Sequence, residues 1–262
     1  MTTMIDFDEH VSRRVEAVYT TDDVIEQRRV VRRALALRAG ERVLDIGVGP
    51  GFLATEMAAE VGAGGRVCGI DPSESMLAIA RTRPAPAGSA PLELQSGTAN
   101  LLPYPDATFD AVVSTQVFEY VEDVPGALAE ARRVLRPGGR LLLLDTDWDT
   151  VVWHTTDRAR MRRVLTAWEP HLADPYLPRT LLRSLERAGF DPAPPQVLPL
   201  LNVGYQPATY SAGVLEIIAG FVADRDGVPA AEARAWADEL RSLGRDYFFS
   251  MNRYLFCATS PA

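Results

Sequence analysis

Short apolar runs alternate with helix-like patterns along the first 145 residues of the chain. The apolar runs have the length of buried strands, and most segments between them repeat apolar residues at helical spacing. The strand-like runs are Arg42–Ile46, Arg66–Ile70, Leu92–Gln95, Asp110–Ser114 and Arg140–Asp145, and the helix-like segments are Phe52–Val61, Ser73–Arg81 and Val124–Leu135. Strands that alternate with helices form a parallel sheet covered on both faces. The pattern therefore predicts an α/β fold with a doubly wound, mostly parallel sheet.

The two ends of the chain differ from this central part. Helical patterns cover 10–38, about 209–223 and about 230–243, and strand patterns cover Gln196–Asn202 and Tyr247–Ala258. We therefore expect one domain in which helical segments cap or cover a central core. Its expected parts are an N-terminal cap over 1–38, the core over 40–147, further cap or lid segments over 148–180 and 203–246, and a last strand over 247–259, within the single domain 1–262.

The composition excludes several kinds of chemistry. All 27 basic residues are arginine, so no lysine is available for a Schiff base, a phosphate loop or a short-chain dehydrogenase. A net charge of −8 argues against a nucleic-acid surface. Two cysteines, Cys68 and Cys257, and three histidines offer no obvious metal site, and we expect the cysteines to be free thiols.

Neither a membrane nor a secretory segment is indicated. No stretch approaches the roughly 20 apolar residues of a membrane span. The first ten residues are acidic and contain no long apolar run, so we expect no signal peptide. These features favour a cytoplasmic protein with no membrane partner.

The run Val43–Gly51 is an apolar strand that enters a glycine-rich turn before a helix. Glycine adopts positive φ and lets a ligand approach the backbone closely. The next strand ends in Asp71, where a carboxylate suits the two hydroxyls of a ribose. Together these features predict a cofactor that carries a nucleoside. The dinucleotide fingerprint would need a third glycine at position 52, where this chain has Phe52.

With Gly47, Gly49 and Gly51 in this spacing, preceded by an acid, the chain resembles the class I S-adenosylmethionine-dependent methyltransferases. It is most similar to the branch of small-molecule enzymes like those of ubiquinone and menaquinone biosynthesis. The similarity covers about residues 40–145 and is carried by Val43–Gly51, Gly69–Ser73 with Met76-Leu77, Leu102–Asp106 with Phe109-Asp110, and Leu135–Gly139. The resemblance implies a Rossmann-like sheet of seven strands, the seventh antiparallel and inserted beside the fifth.

The same resemblance implies methyl transfer from S-adenosylmethionine to a small molecule, which leaves S-adenosylhomocysteine. Oxygen, nitrogen and carbon acceptors stay open, and a secondary metabolite or a quinone-like compound is a candidate. Two alternatives also stay open: a member of the same fold that binds the cofactor without methyl transfer or for a rearrangement, and a nicotinamide-dependent oxidoreductase. Phe52 and the lack of lysine argue against the oxidoreductase. The sequence also leaves open whether the protein forms a homodimer.

The resemblance also assigns cofactor contacts. The three glycines lie against the methionine part, Asp45 orients the loop and the cofactor's ammonium group, and Asp71 accepts from the ribose hydroxyls. The other expected contacts are Pro72 and Met76 on the adenine face, Thr98 and Ala99 at the adenine edge, Ser114 and Gln116 beside the sulfonium, and Tyr19 and Arg28 over the carboxylate.

The sequence contains no clear catalytic dyad. Methyl transfer needs a general base only when the acceptor holds its proton tightly, because alignment supplies much of the rate. His154 is the leading candidate for a base because it follows the fifth strand, and Tyr120 after the fourth strand is a second candidate catalytic residue. Each has a plain structural interpretation as well. The expected substrate-pocket residues are Asp147, Trp148, Trp153 and Tyr176, although the aromatic residues could equally hold the cap to the sheet.

Overall fold

A computed structural model describes residues 9–261 of the chain. Helices and strands alternate along its first half, as the apolar pattern predicts. In chain order the elements are α1 (Glu9–Tyr19), α2 (Asp22–Leu35), β1 (Arg42–Ile46), α3 (Phe52–Val61), β2 (Arg66–Asp71), α4 (Glu74–Arg81), β3 (Leu92–Ser96), β4 (Phe109–Thr115), α5 (Val124–Val134), β5 (Leu135–Trp153), α6 (Arg158–Trp168), α7 (Pro178–Arg187), β6 (Asp191–Pro192), β7 (Gln196–Val203), α8 (Tyr210–Val222), α9 (Ala230–Ser242) and β8 (Phe248–Thr259).

The strands form one sheet in the order β3-β2-β1-β4-β5-β8-β6, and β7 also pairs with β8. The five strands from β3 to β5 are parallel, and β8 is antiparallel to β5. The doubly wound α/β fold and the antiparallel last strand beside the fifth are therefore confirmed. The carboxyl ends of β1, β2 and β4 lie along one edge of the sheet, beside Leu144 of β5, and ligands bind at this edge in folds of this kind.

The sheet has eight strands instead of the expected seven. The additional strand, β6, has two residues and pairs with β8 beside the segment that pairs with β7. Pro194 and Pro195 lie between β6 and β7, and proline has no N–H to continue the ladder. The ladder is therefore interrupted, and the two pieces count as two strands.

Two segments differ from the sequence expectation by more than one residue at an end. The helical pattern over 10–38 is broken into α1 and α2 at Thr20 and Thr21, whose hydroxyls donate back to the carbonyls of Ala17 and Val18. These bonds compete with continuation of the helix. Strand β5 is longer than the expected Arg140–Asp145, because residues up to Trp153 continue to pair with β8.

Three apolar clusters stabilise the fold. Two cover the faces of the sheet, one beneath α5 and α7 and the other beneath α2 and α3. The third joins α6, α8 and α9 to the far end of β5 and β8. Trp236 lies at its centre, where the ring is fully buried, packs edge-on against Trp153 at 5.6 Å and donates its indole N–H to the sulfur of Met161. None of the helices within 9–261 is long and apolar enough to cross a membrane.

Replacing Trp236 by alanine should therefore lower the free energy of unfolding by about 3–5 kcal/mol, the usual cost of emptying a large buried aromatic site. Urea denaturation followed by circular dichroism measures this change. Leu101→Ala is the matched control, because Leu101 is 76% exposed and its loss should cost less than about 0.5 kcal/mol. Equal stability losses in the two variants would contradict the packing assigned to the third cluster.

Candidate active site

The glycine loop joins β1 to α3 at the carboxyl edge of the sheet. Gly47, Gly49 and Gly51 all have positive φ, at 73°, 51° and 78°. A Cβ on Gly47 would lie 2.2 Å from the side chain of Val117, and a Cβ on Gly51 would lie 2.8 Å from that of Ala80. A Cβ on Gly49 would meet no atom within 4 Å. Close packing thus leaves no room for a side chain at Gly47 and Gly51. The positive φ angles favour glycine at all three positions.

Asp71 ties this loop to the end of β2. One carboxylate oxygen accepts from the backbone N–H of Gly49 at 2.8 Å, and the other accepts from that of Ser73 at 2.9 Å. Burial raises the pKa of Asp71, and the two backbone hydrogen bonds oppose this shift. Ser73 in turn caps α4 by accepting from the backbone N–H of Met76. The carboxylate is therefore held rigidly beside the glycine loop.

A cleft with a volume of about 880 Å³ lies against the loop and Asp71. Its lining includes most of the cofactor contacts expected from the sequence. The expected residues that line it are Tyr19, Gly47, Gly49, Asp71, Pro72, Met76, Thr98, Ala99, Gln116 and Tyr120. The structure therefore brings together the residues expected at the methionine, ribose and adenine parts of the cofactor.

Four expected contacts lie outside this lining. Gly51 starts α3 behind the loop, and Ser114 is fully buried with its hydroxyl donating to the carbonyl of Ile46 at 2.8 Å. Arg28 pairs with Glu56 at 2.9 Å and donates to the carbonyl of Tyr19 at 2.7 Å. Arg28 thus fixes the end of α1 and does not line the cleft. Asp45 is the fourth expected contact outside the lining.

Asp45 is 2% exposed, and within residues 9–261 its carboxyl group has no hydrogen-bond partner that the structure shows. Burial, with a smaller contribution from the charge of Asp71, raises its pKa to about 8. A nearby cation would favour the charged form and lower this pKa. Asp45 therefore suits the ammonium group of an amino-acid-bearing cofactor.

A second cavity, which we call the inner chamber, has a volume of about 110 Å³. It shares Val15, Tyr19, Gln116 and Tyr120 with the cleft, so the two spaces adjoin. Its remaining lining residues are Val18, Val24, Gln27, Glu119, Trp148, Trp168, Tyr210, Val214, Ile217 and Arg253. Helices α1, α2, α6 and α8 enclose it together with the ends of β4, β5 and β8. The cap thus covers a small space that is mainly apolar and aromatic.

One part of this chamber is polar. Glu119 is 1% exposed, and one of its carboxylate oxygens accepts from the backbone N–H of Thr146 at 3.0 Å. The Thr146 hydroxyl donates to the side-chain oxygen of Gln116 at 2.6 Å. Arg253 is 3% exposed, donates to the side-chain oxygen of Gln27 and lies 4.4 Å from the centre of the Tyr210 ring. A carboxyl group and a guanidinium are therefore buried at the same wall.

Asp145 lies in the middle of β5, next to the backbone of Glu119. One of its oxygens accepts from the backbone N–H groups of Val117 at 3.1 Å and Glu119 at 3.4 Å. The other is buried without a hydrogen-bond partner in the described part of the chain. Burial raises the pKa of both carboxyl groups; the charge of Asp145 raises that of Glu119 further, and Arg253 opposes both shifts. Both carboxyl groups therefore hold a proton more readily than exposed carboxyl groups do.

Glu119 and Arg253 are not among the site residues expected from the sequence. Arg253 had a usable signal: β8 alternates buried and exposed positions, and Arg253 occupies an inward position between Met251 and Leu255. A charged residue in the inward set of a strand is rare unless it is paired or functional. The sequence indicates a role for Glu119 less clearly, because only its position shortly after β4 places it near the site.

The structure does not bring His154 to the site. Because β5 continues to Trp153, His154 lies beyond the far end of that strand, where it is exposed and its N–H donates to the carbonyl of Phe248 at 2.9 Å. It lines neither the cleft nor the inner chamber. Tyr120 is in both linings, with burial raising the pKa of its hydroxyl well above the usual value, so it is neutral and not a base.

Of the four expected substrate-pocket residues, only Trp148 lines the inner chamber. Trp153 belongs to the buried cap cluster and donates to the Tyr247 hydroxyl at 2.9 Å. Asp147 forms an ion pair with Arg179 at 2.7 Å, and the same arginine lies 4.7 Å from the Tyr176 ring centre. These residues hold the cap in place, as the structural interpretation of the aromatic cluster predicts. No cluster of three or more potential metal-binding side chains occurs among the described residues.

Comparisons with known proteins agree with this geometry. The family model described as a methyltransferase domain matches residues 44–143. The demethylmenaquinone methyltransferase of Listeria monocytogenes is 32% identical over 164 residues, which cover 62% of this chain and 69% of that protein. An uncharacterized 37.1 kDa protein in a transposon of Streptomyces fradiae is 33% identical over 257 residues, covering 93% of this chain and 70% of that protein.

Among solved structures, phosphoethanolamine N-methyltransferase 2 of Haemonchus contortus, in complex with S-adenosyl-L-methionine, superposes with a TM-score of 0.63. The two proteins are 21% identical, and the match covers 98% of this chain and 58% of that one. At this identity the likeness supports the fold alone.

The buried carboxyl of Asp45 should make stability depend on pH. Because its pKa is about 8 in the folded protein and close to the ordinary aspartate value of 3.8 in the unfolded chain, the folded state holds the extra proton between these pH values. Stability should therefore fall as pH rises from about 4 to about 8. Asp45→Asn should remove up to about 6 kcal/mol of this fall, at about 1.4 kcal/mol per pKa unit.

Urea unfolding of both proteins at pH 5 and pH 8.5 tests this expectation. Glu119 and Asp145 add the same trend to both proteins, so the difference between the two slopes isolates Asp45. Identical slopes in the wild type and the variant would show that Asp45 is not protonated in the folded state.

Proposed function

The chain belongs to the class I S-adenosylmethionine-dependent methyltransferases, in the branch that includes the demethylmenaquinone methyltransferases, and from this premise we propose that it methylates a small molecule bound in the inner chamber. S-adenosylmethionine is its cofactor, and methyl transfer is its reaction. The observation that carries the proposal is the shared wall between the cleft and the chamber, formed by Val15, Tyr19, Gln116 and Tyr120.

The size and enclosure of the chamber favour a small acceptor. An apolar cavity of about 150 Å³ holds a benzene molecule, so a chamber of about 110 Å³ suits a single ring after slight adjustment. The cap is tightly closed at α1 and α8, where a Cβ on Gly213 would lie 2.5 Å from the side chain of Val18. A nucleic acid or a protein segment would have to open this contact. The net charge of −8 also disfavours a nucleic acid.

We assign the cofactor's parts along the cleft by chemistry. Asp71 suits the ribose hydroxyls, Pro72 and Met76 suit the adenine face, and Asp45 suits the ammonium group. The sulfonium supplies an activated methyl group. The protein's task is then to hold the acceptor in line with the methyl group beside Gln116 and Tyr120 and to exclude water. Such alignment alone accelerates a displacement greatly.

Incubation with methyl-labelled S-adenosylmethionine tests the acceptor class. Low-molecular-weight extracts and panels of hydroxylated, amino and enolic compounds are compared with protein and nucleic-acid substrates, and S-adenosylhomocysteine is measured as the common product. The proposal predicts label in small molecules only. Label found in macromolecules, with none in small compounds, would refute it.

Asp71→Asn should weaken S-adenosylhomocysteine binding by about tenfold or more, because hydrogen bonds to a charged group contribute about 1.5–3 kcal/mol. Isothermal titration calorimetry measures the dissociation constant. Asp106→Asn is the matched control, since the Asp106 side chain is 77% exposed and lies outside the cleft lining. An unchanged dissociation constant in Asp71→Asn, on folded protein, contradicts the role assigned to this carboxylate.

His154→Ala should leave the rate of methyl transfer within about twofold of wild type, because surface substitutions away from a site usually have little effect. The measurement is the initial rate of S-adenosylhomocysteine formation with the acceptor found above. A loss of tenfold or more would return His154 to the mechanism.

A further inference from the structure

The inner chamber contains a buried cation whose partners are neutral. The Arg253 guanidinium bonds to Gln27, contacts the Thr146 hydroxyl at 3.4 Å and lies over the Tyr210 ring. In the described part of the chain, no carboxylate oxygen lies within 4.0 Å of its nitrogens. The charge of Arg253 lowers the pKa values of the nearby Glu119 and Asp145, but neither carboxyl group forms an ion pair with it. A buried guanidinium without a directly paired anion is costly. An anionic oxygen placed in this chamber would therefore be strongly stabilised.

The same wall carries a carboxyl group suited to taking a proton. Glu119 lines the chamber, and its burial together with the Asp145 charge raises its pKa above the usual range, so that it accepts a proton more readily than an exposed glutamate. The titratable or charged groups facing it are Asp145 from β5, Arg253 from β8, Tyr19 from α1, Tyr210 from α8 and the neighbouring Tyr120.

The rest of the chamber suits a flat ring with polar substituents. Trp148 and Trp168 line it; the Trp148 indole faces the Glu119 carboxyl group, whereas the indole nitrogen of Trp168 is buried without a hydrogen-bond partner among residues 9–261. Buried indole N–H groups usually have an acceptor, and its loss is costly. Oxygen atoms on an aromatic ligand would provide such acceptors, while the ring would pack against the tryptophans and tyrosines.

We propose that the inner chamber binds a planar acceptor with an ionisable hydroxyl, a phenol or an enol, whose oxygen lies against Arg253, gives its proton to Glu119 and is then methylated. The inference rests on the proposed function and names its substrate class. It assigns Glu119 as the general base and Arg253 as the residue that stabilises the oxyanion.

The transfer balances in atoms and charge. The hydroxyl O–H bond breaks and its proton passes to Glu119, while the electron pair stays on oxygen. That oxygen forms the new O–C bond as the C–S bond breaks, and sulfur keeps the bonding pair, so the sulfonium becomes a neutral thioether. Glu119 then releases its proton to solvent. No oxidant or reductant is required.

Charge also discriminates against an amine acceptor. A neutral amine becomes positively charged as it attacks the methyl group, and this charge would develop beside the buried Arg253. Like charges repel strongly at low dielectric. A hydroxyl that transfers its proton to Glu119 instead leaves a phenolate beside the cation, and the chamber keeps the same net charge. The wall therefore favours oxygen over nitrogen.

The first experiment measures the ionisation state of a bound phenol. 4-Nitrophenol changes its absorption spectrum on ionisation, so it is titrated against pH in the presence of excess protein saturated with S-adenosylhomocysteine. We expect its apparent pKa to fall by at least one unit on binding, and Arg253→Met to abolish this shift and weaken binding at least tenfold. Tyr254→Phe, the neighbour on the opposite face of β8, should behave as wild type.

Binding of S-adenosylhomocysteine and the thermal midpoint are measured on each variant. If Arg253→Met fails to fold, Arg253→Lys keeps the charge and should retain part of the pKa shift. Unionised bound 4-nitrophenol, no binding of the phenol, or a full shift in folded Arg253→Met would each overturn the assignment of Arg253.

The second experiment separates proton transfer from binding. Wild type and Glu119→Gln are compared on a series of phenols of decreasing pKa at pH 8.5. For phenols that are still protonated at this pH, the variant should lose at least about 100-fold in kcat, the usual lower contribution of a general base. For 4-nitrophenol, already ionised, the loss should shrink to within about threefold, since no base is then needed. Glu26→Gln, at a side chain that is 54% exposed, is the matched control.

An equal loss of kcat for all phenols would show that Glu119 is only structural and would overturn its role as base. Methylation of amines or ring carbons, with no product at a hydroxyl oxygen, would overturn the inference while leaving the proposed function intact. If no compound of any class yields S-adenosylhomocysteine although the cofactor binds, the proposed function itself fails.

Discussion

Parallel pairing of β1, β2, β4 and β5 is the constraint on which the rest of the site depends. It directs the carboxyl ends of β1, β2 and β4 to one edge, beside the middle of β5, so that these ends open toward the same space. The loop after β1 carries the glycines, β2 ends at Asp71, the segment after β4 carries Gln116 and Glu119, and Thr146 lies within β5. The antiparallel β8 enters beside β5 and delivers Arg253 to this edge from the opposite direction.

Four buried carboxyl groups determine the electrostatics of that edge of the sheet. Asp45, Asp71, Glu119 and Asp145 are each less than a tenth exposed, and burial raises the pKa of every one of them. Carboxyl groups in such positions are unfavourable for folding and are typical of functional sites. Asp71 is compensated by backbone N–H donors, whereas Glu119 and Asp145 have Arg253 nearby as a counter-charge. Glu119 and Asp145 therefore have the raised pKa values that proton exchange with a ligand requires near neutral pH.

Local patterns predict the strands and helices of the cofactor half, and the family resemblance supplies its expected contacts. Strand β1 and helix α3 have the expected bounds, and the residues expected around the nucleoside mostly line one cleft, because a glycine turn between a strand and a helix is a local signal. Ser114 and Arg28 were exceptions, since their partners, the carbonyl of Ile46 and Glu56, are distant in sequence. Their packing could not be deduced from neighbouring residues.

The substrate half depends on long-range pairing and was predicted less well. His154 was expected near the site because β5 was expected to end at Asp145, but pairing with β8 extends the strand to Trp153 and carries the histidine away. Glu119 and Arg253 are 134 positions apart in the chain and meet only through the sheet, so no spacing rule joins them. The alternation of buried and more exposed positions along β8 does indicate that Arg253 faces inward.

The most direct test of the central claim is a crystal structure of the protein with S-adenosylhomocysteine. The account predicts that both ribose hydroxyls donate to Asp71. It also predicts that the sulfur lies beside Gln116 and Tyr120 and faces the inner chamber. A ribose bound away from Asp71, or a sulfur turned to solvent with the chamber isolated from it, would contradict the account.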